Sequence, residues 1–193
     1  MPKPIKHLLV LSGLLSIGKS YTENLIVSGK LADLQPLDSI QNAKNWQSIN
    51  PKAFLNDEVN QNFPEYVLFP YELTRLITRP GFDLLDFDKD PVLNIVNSAS
   101  KVSVITLWAP IEIIRQRIQA RKTIATKLST FFKPNRREQA ILALYRDKDM
   151  LNTLYKTWDR RWAGIQNARV YFWDVSDESP QNISKNTFQD KLA

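Results

Sequence analysis

The chain has 193 residues, 43% of them hydrophobic and 24% charged, the balance of an ordinary globular protein built as one domain over residues 1–193. It has no cysteine and a single histidine, His7, which excludes disulfides, thiolate metal sites, cysteine nucleophiles and multi-histidine zinc or catalytic centres. The net charge of +6 favours polyanionic partners such as nucleotides or nucleic acid, or else serves solubility alone.

Residues 5–11 are apolar and partly β-branched and run into a glycine turn, which predicts a buried strand. Residues 20–27 predict a helix with Gly29 at its C-terminal cap. Residues 32–38 predict a short second strand, with Pro36 arguing against a central one. Residues 41–64 are rich in Asn and Gln, carry scattered aromatics and are broken by Pro51 and Pro64; they predict an insertion of short helices and loops. A third strand is predicted over 65–69, ended by Pro70, and a helix over 71–78 that stops before Arg79-Pro80-Gly81. Residues 82–90 hold four aspartates among aromatics and leucines and fit neither period.

Residues 102–109 predict a second strong strand, and Pro110 opens a helix to about residue 122, where its missing N–H costs nothing. A long helix over 136–162, a last strand over 170–173 and a polar, frayed tail from Asp177 complete the reading. Strands alternating with helices predict an α/β fold with a mostly parallel central sheet. No apolar run approaches the roughly 20 residues of a membrane span. No small-residue cleavage site follows the apolar start, so neither a membrane location nor a signal peptide is expected. A cysteine-free chain fits the reducing cytoplasm.

The turn after the first strand reads Gly13-Leu14-Leu15-Ser16-Ile17-Gly18-Lys19-Ser20, with Tyr21 next on the helix. It meets the pattern G-x-x-x-x-G-K-[ST] in full. The glycines let the backbone turn so that successive N–H groups face a phosphate. The helix that follows adds positive charge at its N-terminus. Lys19 has the reach for the β- and γ-phosphates of ATP, and the Ser20 hydroxyl for Mg²⁺.

With a strand before it and a helix after it, this motif resembles the P-loop kinases of the nucleoside-monophosphate-kinase type. The resemblance covers residues 5–28 and returns over 102–122, where a strand, Pro110 and a helix with Arg117 and Arg121 look like the segment leading into the lid. It implies a three-layer α/β/α P-loop NTPase fold with a helical lid, here the basic stretch 115–137. It implies ATP bound by residues 13–21 and a transferase that moves the γ-phosphoryl group. It also implies that Arg117 and Arg121 contact ATP phosphates or the transferring group, and that the insertion at 41–64 binds the acceptor. One departure is bulk: the family has a small residue before the second glycine, and this chain has Ile17, with Leu14 and Leu15 also large. Side chains turned outward would accommodate them.

Residues 115–137 hold eight Lys or Arg and no Asp or Glu, which suits closure over phosphates or, alternatively, a solvated basic face. Asp38, where the predicted second strand ends, is either a catalytic or acceptor-binding carboxylate, as in many small P-loop kinases, or a cap. No apolar run ends cleanly in a metal-binding aspartate; Asp86 and Asp174 are weak substitutes. Glu72, Arg75 and Arg79 read as surface charges ahead of acceptor ligands. Trp158 and Trp162, four apart, read as core, and His7 as packing without an obvious partner.

The composite expectation is an ATP- and Mg²⁺-dependent kinase acting on a nucleotide or a nucleic-acid group, such as a modified DNA base or a terminal hydroxyl. Two alternatives stay open: an ATP-binding module without transfer, and a nucleic-acid-binding protein whose affinity falls steeply with salt.

Overall fold

The computed structural model describes residues 5–30, 46–51, 63–76, 89–128 and 147–192. Six strands build one sheet: β1 (His7–Gly13), β2 (Gln47–Ser48), β3 (Tyr66–Glu72), β4 (Val102–Trp108), β5 (Ala168–Asp174) and β6 (Gln181–Ile183). Their order across the sheet is β2-β3-β1-β4-β5-β6. All neighbours pair in parallel except β5 with β6. Among the described residues the α-helices are α1 (Lys19–Val27), α2 (Ile111–Leu128), α3 (Lys148–Ala163) and α4 (Lys185–Lys191). The chain is therefore α/β with a mostly parallel sheet, as the alternation of elements predicts.

β1 is buried at every residue and β4 from Val102 to Leu107, so their near-continuous apolar runs are covered on both faces. Their few polar side chains are all paired. Ser12 Oγ donates to Ile105 O at 3.2 Å and lies 3.2 Å from Thr106 Oγ1, which also accepts from Trp158 Nε1 at 3.1 Å. Trp158 and Trp162 are fully buried, as predicted, and the Trp158 ring stacks on Tyr71 at 5.0 Å. His7, contrary to expectation, has a partner: its Nε2 lies 2.8 Å from Ser103 Oγ on β4.

α1 ends where Gly29 predicts. With φ 70° this residue closes the helix through Gly29 N to Ile26 O and Lys30 N to Leu25 O, at 3.1 and 3.0 Å. α2 runs beyond residue 122, to Leu128, and keeps Ile114 and Ile118 on its buried face.

Four expectations are corrected. The third strand does not end at Pro70 but continues through it to Glu72. Among the described residues β2 pairs with β3 only at Val67 and Leu68, and none pairs with Pro70 on that side, where a residue without an N–H is accommodated. The helix predicted from residue 71 is a single 3₁₀ turn, Leu73–Leu76, because Tyr71 and Glu72 are still in the strand. Within 41–64, Gln47 and Ser48 form an edge strand rather than helix or loop. The tail is not frayed: Ser184 caps α4 by accepting from Thr187 N, and Phe188 and Leu192 are buried.

The predicted strand at 32–38, Asp38 itself, Arg79, Asp86 and residues 129–146 of the predicted lid and long helix lie outside the described residues.

Candidate functional site

The loop of residues 13–20 leaves the C-terminal end of β1 and enters α1. β1 lies between β3 and β4, so the chain first crosses to one side of β1 and later returns on the other. The loop thus sits where the direction of strand order reverses, the crevice in which open parallel sheets bind their ligands.

Its shape depends on particular residues. A Cβ on Gly13 would meet Ile17 Cγ2 at 2.8 Å and Leu107 Cβ at 3.2 Å. Gly13 therefore permits the loop to fold back on itself and on β4. Gly18, at φ 117°, holds a left-handed conformation and forms the N-cap of α1. Ser16 holds φ 62°, uncommon for a residue with a side chain and costing roughly 1–2 kcal/mol. Thr22 N then makes the first bond of α1, to Gly18 O at 3.0 Å.

Contrary to expectation, the bulky residues turn inward. Ile17 and Leu14 are buried, and Leu15 is half-buried against the core. Ile17 fills the space that the absent Cβ of Gly13 leaves. The loop is anchored by this apolar packing.

Lys19 lies across the loop. Its Nζ donates to Gly13 O at 2.9 Å and Leu14 O at 2.6 Å. Ser20 and Tyr21 are exposed in the first turn of α1, Tyr21 at 54%.

The structure brings Arg117 to this loop across 100 positions of chain, where it meets backbone carbonyls. Its Nη1 donates to Ile17 O at 2.7 Å, and its Nη2 to Val175 O at 2.6 Å and Ser176 O at 3.3 Å. The guanidinium ties the glycine loop, α2 and the segment after β5 together. Arg121 lies one turn further along α2.

A residue that sequence reasoning left at the surface also arrives here. Glu72, the last residue of β3, is in register with Gly13 on β1. Its carboxylate accepts from the Thr74 hydroxyl. The run Tyr-Val-Leu-Phe-Pro-Tyr-Glu is an apolar strand ending in an acid, the signal sought elsewhere, with Pro70 obscuring it.

Arg75 is not a surface charge either. Its Nε and Nη2 hold Asp90 Oδ2 and Oδ1, both at 3.0 Å. Asp90, buried, also accepts from Tyr71 Oη at 2.9 Å and Val92 N at 3.1 Å. Burial alone would raise the Asp90 carboxyl, but the Arg75, Tyr71 and Val92 hydrogen bonds outweigh it and hold the group below its usual value. Burial first, and the Asp90 charge second, push the Tyr71 phenol up. This cluster clamps the chain on both sides of Glu72.

Asp174, at the end of β5, is likewise held below its usual value. Burial works against this, and the Ser176 hydroxyl and amide and Lys191 overcome it.

Two cavities open at opposite ends of the loop. One, of about 570 Å³, is lined by Ile17, Gly18, Tyr21 and Thr22 on the loop side, Arg117 and Ala120 on α2, and Val175, Asp177, Glu178 and Pro180 after β5. The other, of about 430 Å³, meets the loop at Leu14. Both fall within the roughly 300–1,000 Å³ typical of small-ligand sites.

Among the described residues no group of three or more His, Asp or Glu side chains is arranged to hold a metal ion, and no helix is long and apolar enough to cross a membrane. The chain matches no family model and no curated protein.

Proposed function

We propose that the chain is a P-loop kinase: a three-layer α/β/α P-loop protein that transfers the γ-phosphoryl group of ATP to a nucleotide or nucleic-acid acceptor. The observation that carries this reading is the position of the glycine-lysine loop. It leaves the central parallel strand at the reversal of strand order and opens into α1, with Lys19 lying across it and Arg117 docked on it.

In this reading the phosphates lie along the loop, with the base of ATP in the cavity at its Gly18 end. There the carboxylates of Asp177 and Glu178 are placed to accept from an exocyclic amine, and the exposed Tyr21 ring offers an apolar face. Lys19 exchanges its two carbonyl partners for phosphate oxygens, which repay the exchange with full negative charge. Ser20 and Glu72 are the residues suited to Mg²⁺. The ion takes few protein ligands and keeps phosphate oxygens and water, so a hydroxyl and one acid suffice. Held there by Ser20 and Glu72, Mg²⁺ would supply charge neutralisation for the phosphates. Arg117 acts as a positioning residue, since carbonyl oxygens of two segments hold its guanidinium. For Arg121 the family resemblance supplies the role, contact with the transferring group.

The test is transfer of labelled γ-phosphate from ATP to mononucleotides and to duplex DNA. The wild-type chain labels one of them, and Lys19→Ala stays folded but loses transfer. Undiminished turnover in that variant contradicts the assignment. A second reading, an ATP-binding module without transfer, gains from the backbone engagement of both Lys19 and Arg117. It predicts ATP binding with no labelled acceptor.

A further inference from the structure

The cavity at the Leu14 end of the loop has a different character from its counterpart. The Gly18 end carries two acids, while its one arginine is turned to backbone carbonyls. The Leu14 end is lined by three cations, Arg115, Lys148 and Lys191, against Glu112, with Asp174 behind Lys191 offsetting that one charge. Its walls are Trp108, Pro110 and Ile114 on one side and Leu151 and Tyr155 on the other, with the Asn152 amide between. Lys191 is already fixed: it pairs with Asp174 at 3.0 Å and lies 4.4 Å from the centroid of the Trp108 ring. Tyr155 is fixed too, its hydroxyl donating to Leu107 O at 3.1 Å. An apolar body of one nucleotide's size, a few fixed polar groups and a cationic rim make a preformed site for an organic anion.

From this contrast we infer that the Leu14 cavity is the phosphoryl-acceptor site, and that its ligand is an organic phosphate with a flat apolar body, a single nucleotide unit either free or at the end of a strand. The inference deepens the kinase reading and rests on it. Leu14 follows Gly13 directly, so a ligand in this cavity abuts the end of the loop remote from the donor's base. The acceptor enters between the first turns of α2 and α3, over β4, and its phosphate meets Arg115 and Lys148. This departs from the acceptor role that the resemblance implies for 41–64: none of the described residues of that insertion or of β3 lines this cavity. An acidic end for the base of the donor and a basic end for the acceptor fix the direction in which a triphosphate lies along the loop.

The test is equilibrium binding with the loop saturated by a non-hydrolysable ATP analogue, read by quenching of tryptophan fluorescence, with Trp108→Phe as the control for the reporter. The probes are nucleoside 5′-monophosphates, a 5′-phosphorylated trinucleotide and the matching unphosphorylated nucleosides. Phosphorylated probes saturate and the nucleosides do not. Lys148 is exposed on the first turn of α3, so its replacement spares the fold. Lys148→Glu weakens the phosphorylated probe by roughly tenfold or more, and Lys148→Arg restores it. Binding of mononucleotides identifies a free acceptor, and binding of the trinucleotide alone identifies a strand end. Equal affinity in wild type and Lys148→Glu, or no saturation by any phosphorylated probe, overturns the assignment. The donor reading fails separately, if the ATP analogue itself does not bind.

Discussion

Gly13 and Gly18 serve the same loop for different reasons, and substitution separates them. At Gly13 the obstacle is space, since a Cβ would press on Ile17 and Leu107. Gly13→Ala is expected to cost about 1–3 kcal/mol of stability as the loop shifts off β4, read by denaturant unfolding. At Gly18 only Arg117 Nη1 comes near, at 3.8 Å, and the cost is the left-handed backbone. Gly18→Ala is expected to lose about 1–2 kcal/mol, also in an Arg117→Ala background, because strain of this kind does not depend on that neighbour. His7 gives a residue-scale prediction in pH. Burial, reinforced by Lys101, lowers its pKa from 6.5 to about 4. The folded chain therefore binds fewer protons than the unfolded one between those values. His7 favours the fold fully above pH 6.5, and that contribution is lost as pH falls to about 4, a change on the order of 3 kcal/mol. Melting temperature should drop across this window and flatten in His7→Gln; an unchanged slope contradicts the burial account. The motif residues were legible because spacing alone defines them. The inward turn of Leu14 and Ile17 was not, because it depends on β4 lying beside the loop.

Elements were legible where one physical signal dominated. β1 and β4 are apolar along their length, and α1 carries its own stop at Gly29. β3 was half-read, since Pro70 counts as a terminator until the strand is seen to lack a described partner on one side at that residue. β6 and α4 were missed because their sequence is polar and only Ile183, Phe188 and Leu192 reach the core. Phe188 stacks on Phe172 at 4.1 Å and meets Tyr155 edge-on at 5.8 Å. Phe188→Ala should cost about 3–5 kcal/mol, whereas a frayed tail would lose almost nothing. α4 is also tied to α3, because Lys185 and Gln189 donate to the two carboxylate oxygens of Asp159 at 3.0 and 3.1 Å. The clamp around Glu72 is the other element-scale device. Asp90→Ala strands the Arg75 guanidinium and the Tyr71 hydroxyl, and should cost about 3–5 kcal/mol. In the kinase reading it also lowers turnover more than ATP affinity, by releasing Glu72. Loss of stability with turnover per folded molecule unchanged would leave Asp90 a purely structural residue.

The organisation of the whole molecule places a glycine-lysine loop over the middle of a parallel sheet, with an acidic cavity at one end and a basic one at the other. Little of this was visible in sequence. The overall charge of +6 says nothing of a local division of sign, and Asp177 and Glu178 sit in a stretch that read as a polar tail. The family resemblance singled out Arg117, but its engagement with Val175 and Ser176 required β5 to lie next to β4. That engagement changes the expected kinetics. Arg117→Ala should weaken ATP binding as well as turnover, since the loop loses a brace and not only a charge. The central claim is that the loop of residues 13–20 wraps the phosphates of ATP. Calorimetric titration of Mg²⁺-ATP into the wild-type chain and Lys19→Ala tests it most directly. The account predicts one saturable site in the wild type that weakens by roughly tenfold or more in the variant. Heats that do not saturate, or equal affinity in the two proteins, would contradict it.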